Sequence, residues 1–366
     1  MGVLDKIFRK KRNNAFYTEK HYSHEKMLIE DKKNKEIQQL DIKEKNEVQG
    51  SIDENSSLDT PKYQGDYAKT IFLWKFSKLF ELEKIDYPAY LTYECGIRNL
   101  TQYLHNLINE GYFIGASYID VIKYSKVNEL KTILRENELK VSGKKEDLIK
   151  RIINNISQEK LETYINSTFY KLSEKGIDFL NEHDDYVRLH KNKVWGIDIE
   201  KYNILKVRGY SFYDTIMDMF KQRLSEEPSN LRRNTYLFMY QLSKEEGKDK
   251  EALKNILKVF YYDISGICGE EWIASYKEGI FTKKELKKDY ELAVMIVPNI
   301  ITTIHEYKGI YVKSDLDEVF NEDYSVQLCD RTEFEKIIDA IMHDTLEIEK
   351  LDAMLKKNYI KLVNNL

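Results

Sequence analysis

VIKYSKVNELKTILRENELKVSGKKEDLIKRIINNI, residues 121–156, decides how this chain is read. In its first half Val127, Leu130, Ile133 and Leu134 recur at three- and four-residue steps, and in its second half Leu148, Ile149, Ile152 and Ile153 do the same. That spacing puts each set on one face of a helix. Between them Leu139 and Val141 are apolar anchors, and Ser142–Gly143 breaks the pattern. Either residue of that pair can cap the second helix. Two short helices around an extended loop follow. A helix start offers unpaired N–H groups and the positive end of the helix dipole, which together attract anions. Lys144 and Lys145 stand on that turn, and Lys150 and Arg151 follow. A phosphate fits this set better than a small neutral ligand.

ELKTIL (Glu129–Leu134), SGKK (Ser142–Lys145) and LIKRI (Leu148–Ile152) stand in the order and spacing of the SAP domain, which the segment resembles. The resemblance covers about a tenth of the chain. It implies a helix–loop–helix module that binds duplex DNA, with Lys131, Ser142, Gly143, Lys144, Lys145, Lys150 and Arg151 at the DNA. One departure stands out: Glu138 precedes Leu139 where that family usually has Gly. The turn there calls for a left-handed backbone, which Gly adopts without cost and Glu does not. Nine basic and five acidic residues lie between Lys123 and Arg151, a modest positive excess. A helical hairpin used for protein contact is the alternative reading.

The remainder of the chain bounds what such a module can be part of. The 366 residues carry a net charge of −4, so any attraction to nucleic acid is a local patch rather than a bulk property. Only 4 prolines and 15 glycines occur, which favours helices. The 3 cysteines (Cys95, Cys268, Cys329) are far apart and lack metal-ligand spacing, as expected of a reducing cytoplasm. No stretch reaches the apolar length of a membrane span, and the N-terminus lacks the apolar core of a signal peptide. Residues 1–63 read as a flexible charged tail. Its first residues pattern as a short helix with Val3, Leu4, Ile7 and Phe8 on one face, too short for firm membrane anchoring.

From Asp66 order is expected. An apolar helix, a helix–turn–helix about Cys95–Gly96 and a strand at Tyr112–Ile114 resemble a winged helix. The second wing strand is missing there and reappears at Phe169–Leu172, followed by a helix from Ser173. The SAP-like segment, 121–156, is therefore read as an insertion at the wing of a domain spanning 66–190. The outward face of the second helix offers Arg98, Asn99, Gln102, His105, Asn106 and Asn109, with one cation, which makes it a poor independent DNA binder. Residues 197–366 read as an all-helical domain. Gly247, Ala252, Ile256, Val259 and Asp263 fall at tetratricopeptide-like spacing, but in one unit only. Pro298 should kink or divide the apolar stretch from Glu291.

No nucleophile elbow, P-loop, dinucleotide fingerprint or zinc motif is present. Glu335–Lys336 and Glu349–Lys350 arise by chance in a chain this rich in both residues. No enzyme, catalytic residue, cofactor or metal is expected. The fold class expected is mainly α: a winged-helix-like domain with a SAP insertion, then a helical, partly tetratricopeptide-like half. The expected function is non-catalytic duplex DNA binding in the cytoplasm, with the helical half binding a protein or a second copy. A protein-interaction scaffold is the competing reading, and a nuclease a third. The arrangement has the look of bacterial or phage-borne proteins with a SAP-like segment.

Overall fold

Helix α1 (Asp66–Lys75) turns Ile71, Phe72 and Leu73 inward, all fully buried. It begins the described part of the computed structural model, residues 65–366 apart from 166 and 323. The readings made for the tail lie outside the described residues. Strand β1 (Phe80–Glu81) and helices α2 (Tyr90–Tyr93) and α3 (Leu100–Asn109) follow. Asn99 caps α3, its Oδ1 accepting the Gln102 N–H at 3.0 Å. Gly111, at φ 81°, stops it and lets the chain enter strand β2 (Phe113–Gly115).

The next elements are α4 (Tyr118–Tyr124), α5 (Val127–Glu136), α6 (Lys145–Asn155) and α7 (Gln158–Glu162). Strand β3 (Phe169–Leu172) then runs between β1 and β2, antiparallel to both. Phe113 faces Leu172 and Gly115 faces Tyr170, so β2 and β3 form one hairpin whose tip holds residues 116–168. The Ala116 N–H donates to the Phe169 carbonyl at 2.8 Å and closes the base of that insert. Phe80 crosses Phe113 edge-on at 5.3 Å and lies over Tyr170 at 6.1 Å, so aromatic rings bind three very short strands together.

Helix α8 (Glu174–Glu182) is seated against this hairpin. The Ser173 hydroxyl donates to the Gly111 carbonyl at 2.6 Å and accepts the Gly176 N–H at 3.0 Å. Lys175 Nζ donates to the Glu110 carbonyl at 2.7 Å. Helices α9 (Asp184–Lys191), α10 (Ile199–Lys206), α11 (Phe212–Glu226), α12 (Arg232–Glu245) and α13 (Asp249–Ser265) continue the chain. Gly247, at φ 66°, makes the turn between α12 and α13. Every residue of α13 from Ile256 to Ser265 is buried, as suits a helix at the centre of a bundle.

Its polar groups are paired accordingly. Arg233 on α12 grips Asp263 with two bonds, Nε at 2.6 Å and Nη2 at 3.0 Å. Lys258 Nζ donates to Glu322 at 2.6 Å, and the Tyr236 hydroxyl donates to the same carboxylate. Around α13 stand α14 (Glu270–Lys277), α15 (Lys283–Lys288), α16 (Tyr290–Ala293), α17 (Pro298–Glu306), α18 (Arg331–Met342) and α19 (Ile348–Asn365). Pro298 divides the apolar stretch: it occupies the first turn of α17, where its missing N–H costs nothing, after four non-helical residues.

The fold is mainly α, with nineteen α-helices and three short strands among the described residues. Phe72, Phe113, Trp195, Phe220, Phe260, Phe334 and Tyr359 belong to one continuous core that runs from α1 to α19. The insert does not share it. Ile122, Leu130, Ile133, Leu134, Leu148, Ile152, Ile156 and Leu161 form a second, separate core. No helix among the described residues is long and apolar enough to cross a membrane.

Candidate nucleic-acid interface

Both helices expected from residues 121–156 are present, and their apolar faces meet in the insert's own core. The module is larger than the pattern suggested. Ile122 of α4 and Leu161 of α7 complete that core, with Tyr118 and Tyr164 packed against it. Ser117 and Asp120 cap α4: the Asp120 carboxylate accepts the Ser117 N–H at 3.0 Å and the Ser117 hydroxyl at 2.7 Å. The same carboxylate takes Lys171 Nζ from β3 at 2.7 Å, fastening the start of the module to the sheet. The Lys171 bond and the Ser117 hydroxyl hold the Asp120 carboxyl down to about 2, so it stays charged throughout the physiological pH range.

Helix α5 ends in a Schellman arrangement. The Leu139 N–H donates to the Leu134 carbonyl at 2.8 Å and the Glu138 N–H to the Arg135 carbonyl at 3.1 Å. Glu138 sits at the left-handed position, φ 54°, as the turn required. For a residue with a Cβ this conformation costs about 1–2 kcal/mol. Glu138→Gly is expected to stabilise the module by about 0.5–1 kcal/mol, because glycine's extra unfolded freedom offsets part of the relief. Slower amide hydrogen exchange at Leu139 and Leu134 checks it. Unchanged or faster exchange would show that the strain is relieved elsewhere.

The cap of α6 differs from the expectation. Neither Ser142 nor Gly143 caps it; the capping position is Lys144. The Asp147 carboxylate reaches back to accept the Lys144 N–H at 3.1 Å. Gly143 instead supplies a backbone at φ 134°, and a Cβ there would lie 3.2 Å from the Asp147 Cβ. With Glu146 and Asp147 both in its first turn, α6 turns its own carboxylates on its positive end. This turn therefore offers an anion lysine side chains more than free N–H groups.

Arg151 has a role that spacing did not reveal. Its Nη1 donates to the Lys140 carbonyl at 2.5 Å and the Ser142 carbonyl at 3.0 Å. The guanidinium thus ties α6 to the loop before it and keeps other N–H groups for a ligand. Lys144 and Lys150 are exposed, as are Ser142 and Gly143, while Lys131, Lys145 and Arg151 are half-buried. The loop and α6 gather Ser142, Gly143, Lys144, Lys145, Lys150 and Arg151; Lys131 stands apart on α5.

Ion pairing differs between the module and the helices packed around α13. Among the described residues, none of the nine cations from Lys123 to Arg151 has a side-chain carboxylate within 4.0 Å. In the helical half Arg233, Lys250, Lys254 and Lys258 each hold one. Unpaired ammonium groups keep their attraction for an external anion. Arg98 and Asn99 just before α3 and Gln102, His105, Asn106 and Asn109 on it are all exposed, and Gln102 Nε2 donates to Asn106 Oδ1 at 2.9 Å.

Two comparisons bear on this geometry. Residues 122–157 match the model of the SAP domain, in general a DNA-binding module. A search of the curated proteins found no match.

Proposed function

We propose that this protein binds duplex DNA without catalysis. Lys144, Lys145 and Lys150 contact phosphates, Lys131 assists, and the Ser142–Gly143 turn, braced by Arg151, shapes the loop. The observation that carries the reading is the set of nine cations without carboxylate partners among the described residues, on a segment that matches the SAP domain. One such patch gives modest affinity, on the order of ten micromolar or weaker at physiological salt. Avidity raises it where the helical half, 197–366, binds a protein or a second copy.

In this reading α1, β1, α2, α3, β2 and β3 make a winged-helix-like scaffold over residues 66–190, the insert occupies its wing, and α12–α13 are a single tetratricopeptide-like hairpin. The sheet order β1-β3-β2 supports the scaffold. The three free thiols support a reducing, cytoplasmic setting. Burial pushes the Cys95 thiol up to about 12 and the Cys268 thiol up to about 11, so neither supplies a thiolate nucleophile at neutral pH.

The test is duplex binding across a salt series with the wild type and a Lys144→Ala, Lys145→Ala variant. Two lost phosphate contacts should lower the salt slope by about 1.8 units and weaken binding roughly thirtyfold near 0.15 M salt. Equal slopes would move the contact away from this turn. Absence of wild-type binding at low salt would leave the competing reading, a protein-interaction scaffold with a structural hairpin, which the self-capped α6 favours.

A further inference from the structure

The turn between α4 and α5 holds a second feature that the phosphate contacts do not use. Tyr124 is 55% exposed, and its side chain makes no hydrogen bond or ring contact with another described residue. Lys123 and Lys126 stand on either side of it, both exposed and both without a carboxylate partner among the described residues. Val127, on the next turn, is 38% exposed. The other most exposed tyrosines have different surroundings. Tyr93 adjoins Glu94, which holds Lys193 at 2.5 Å, and Tyr210 follows Gly209. An exposed ring with exposed lysines one residue before it and two after it offers what proteins use to hold single strands: a ring that stacks on a base, and cations that follow the backbone.

We propose that Lys123–Val127 is a contact for single-stranded DNA, in which the Tyr124 ring stacks on an unpaired base and Lys123 and Lys126 hold the adjoining phosphates. The proposal rests on the DNA-binding reading and deepens it: the preferred ligand is DNA that presents unpaired bases, such as a single strand or a junction, and not continuous duplex alone. Stacking tolerates any base, because every base has a π face. The backbone at this turn is already occupied, since Glu129 accepts the Lys126 N–H at 2.7 Å, so the phosphates fall to the lysine side chains. The cleft of about 540 Å³ between the module and the sheet is lined by Ser125 and Asn128 but not by Lys123, Tyr124 or Lys126, so the proposed contact lies on the open surface beside it.

The experiment measures fluorescence anisotropy of the full chain with a labelled oligothymidine and, separately, a duplex of the same length. Wild type is compared with Tyr124→Ala, Tyr124→Phe and the Lys144→Ala, Lys145→Ala variant. Tyr124→Ala should bind oligothymidine about tenfold more weakly and duplex within about twofold of wild type, and Tyr124→Phe should keep the affinity for both. Because Tyr124 is exposed, circular dichroism of the variants should match wild type. If Tyr124→Ala binds oligothymidine like wild type while the lysine variant loses duplex, this proposal falls and the phosphate reading stands. An equal loss on both ligands also overturns it, since the ring then does not read unpaired bases. Wild-type binding to neither ligand ends both readings.

Discussion

Gly176→Ala should destabilise the folded chain by about 3 kcal/mol and lower its melting temperature by about 5 °C or more. Gly176 lies in the first turn of α8, where a Cβ would stand 2.4 Å from the Tyr112 carbonyl oxygen and 3.0 Å from Leu172 Cδ2. The first contact is with backbone that has no freedom to retreat. That carbonyl accepts the Ser173 N–H at 3.0 Å and the Ser173 hydroxyl at 3.1 Å. A methyl group therefore forces α8 off the β2–β3 hairpin, or the hairpin off β1. These strands carry the insert, so amide exchange at Lys171 and Phe113 should accelerate with the fall in melting temperature. A melting temperature within about 1 °C of wild type would show that α8 does not approach the strand this closely.

Arg233→Met is expected to cost about 3–5 kcal/mol at neutral pH, because it leaves a buried carboxylate without its counter-charge. The Asp263 side chain is fully buried, and burial pushes its carboxyl upward even with Arg233 beside it. Loss of the guanidinium raises it further. A folded-state pKa above the unfolded value means stability that is full below the unfolded pKa and is lost as pH rises through the folded one. The penalty in the variant should therefore shrink between pH 8 and pH 5, as read from urea denaturation at the two pH values. Adding Asp263→Leu should recover most of it, since an apolar pair avoids the desolvation. A penalty equal at both pH values would mean that the carboxylate finds water or another cation.

Residues whose partners are local in sequence could be read directly. The apolar steps of α5 and α6 placed both helices and Pro298 marked a division, while the left-handed turn at Glu138 came from the glycine that the SAP domain usually has before the residue matching Leu139. What escaped has distant or competing partners. Ser142 and Gly143 have the chemistry of caps, but Asp147, three residues beyond Lys144, reaches the helix start with a full charge. Arg151 looked like one more phosphate contact because its partners are backbone carbonyls, which carry no sequence signature. Lys171 and Asp120 are half a hundred residues apart, and only strand pairing brings them together. Lys258 reads as part of a solvated face until Glu322 is placed opposite it. Strand β1, at two residues, is too short for any period to show.

The 2.8 Å hydrogen bond from Ala116 to Phe169 also bears on how such a chain can change over time. The insert leaves and rejoins the hairpin at the same point, and its apolar residues are satisfied among themselves. The hairpin thus imposes no span on whatever joins its strands, and loop-closure entropy rises only slowly with the length of what is enclosed. A tight turn and a whole folded cassette satisfy Gly115 and Tyr170 alike. A cassette of another size could stand there on the same two strand ends, with the Asp120–Lys171 pair among the few contacts to be replaced.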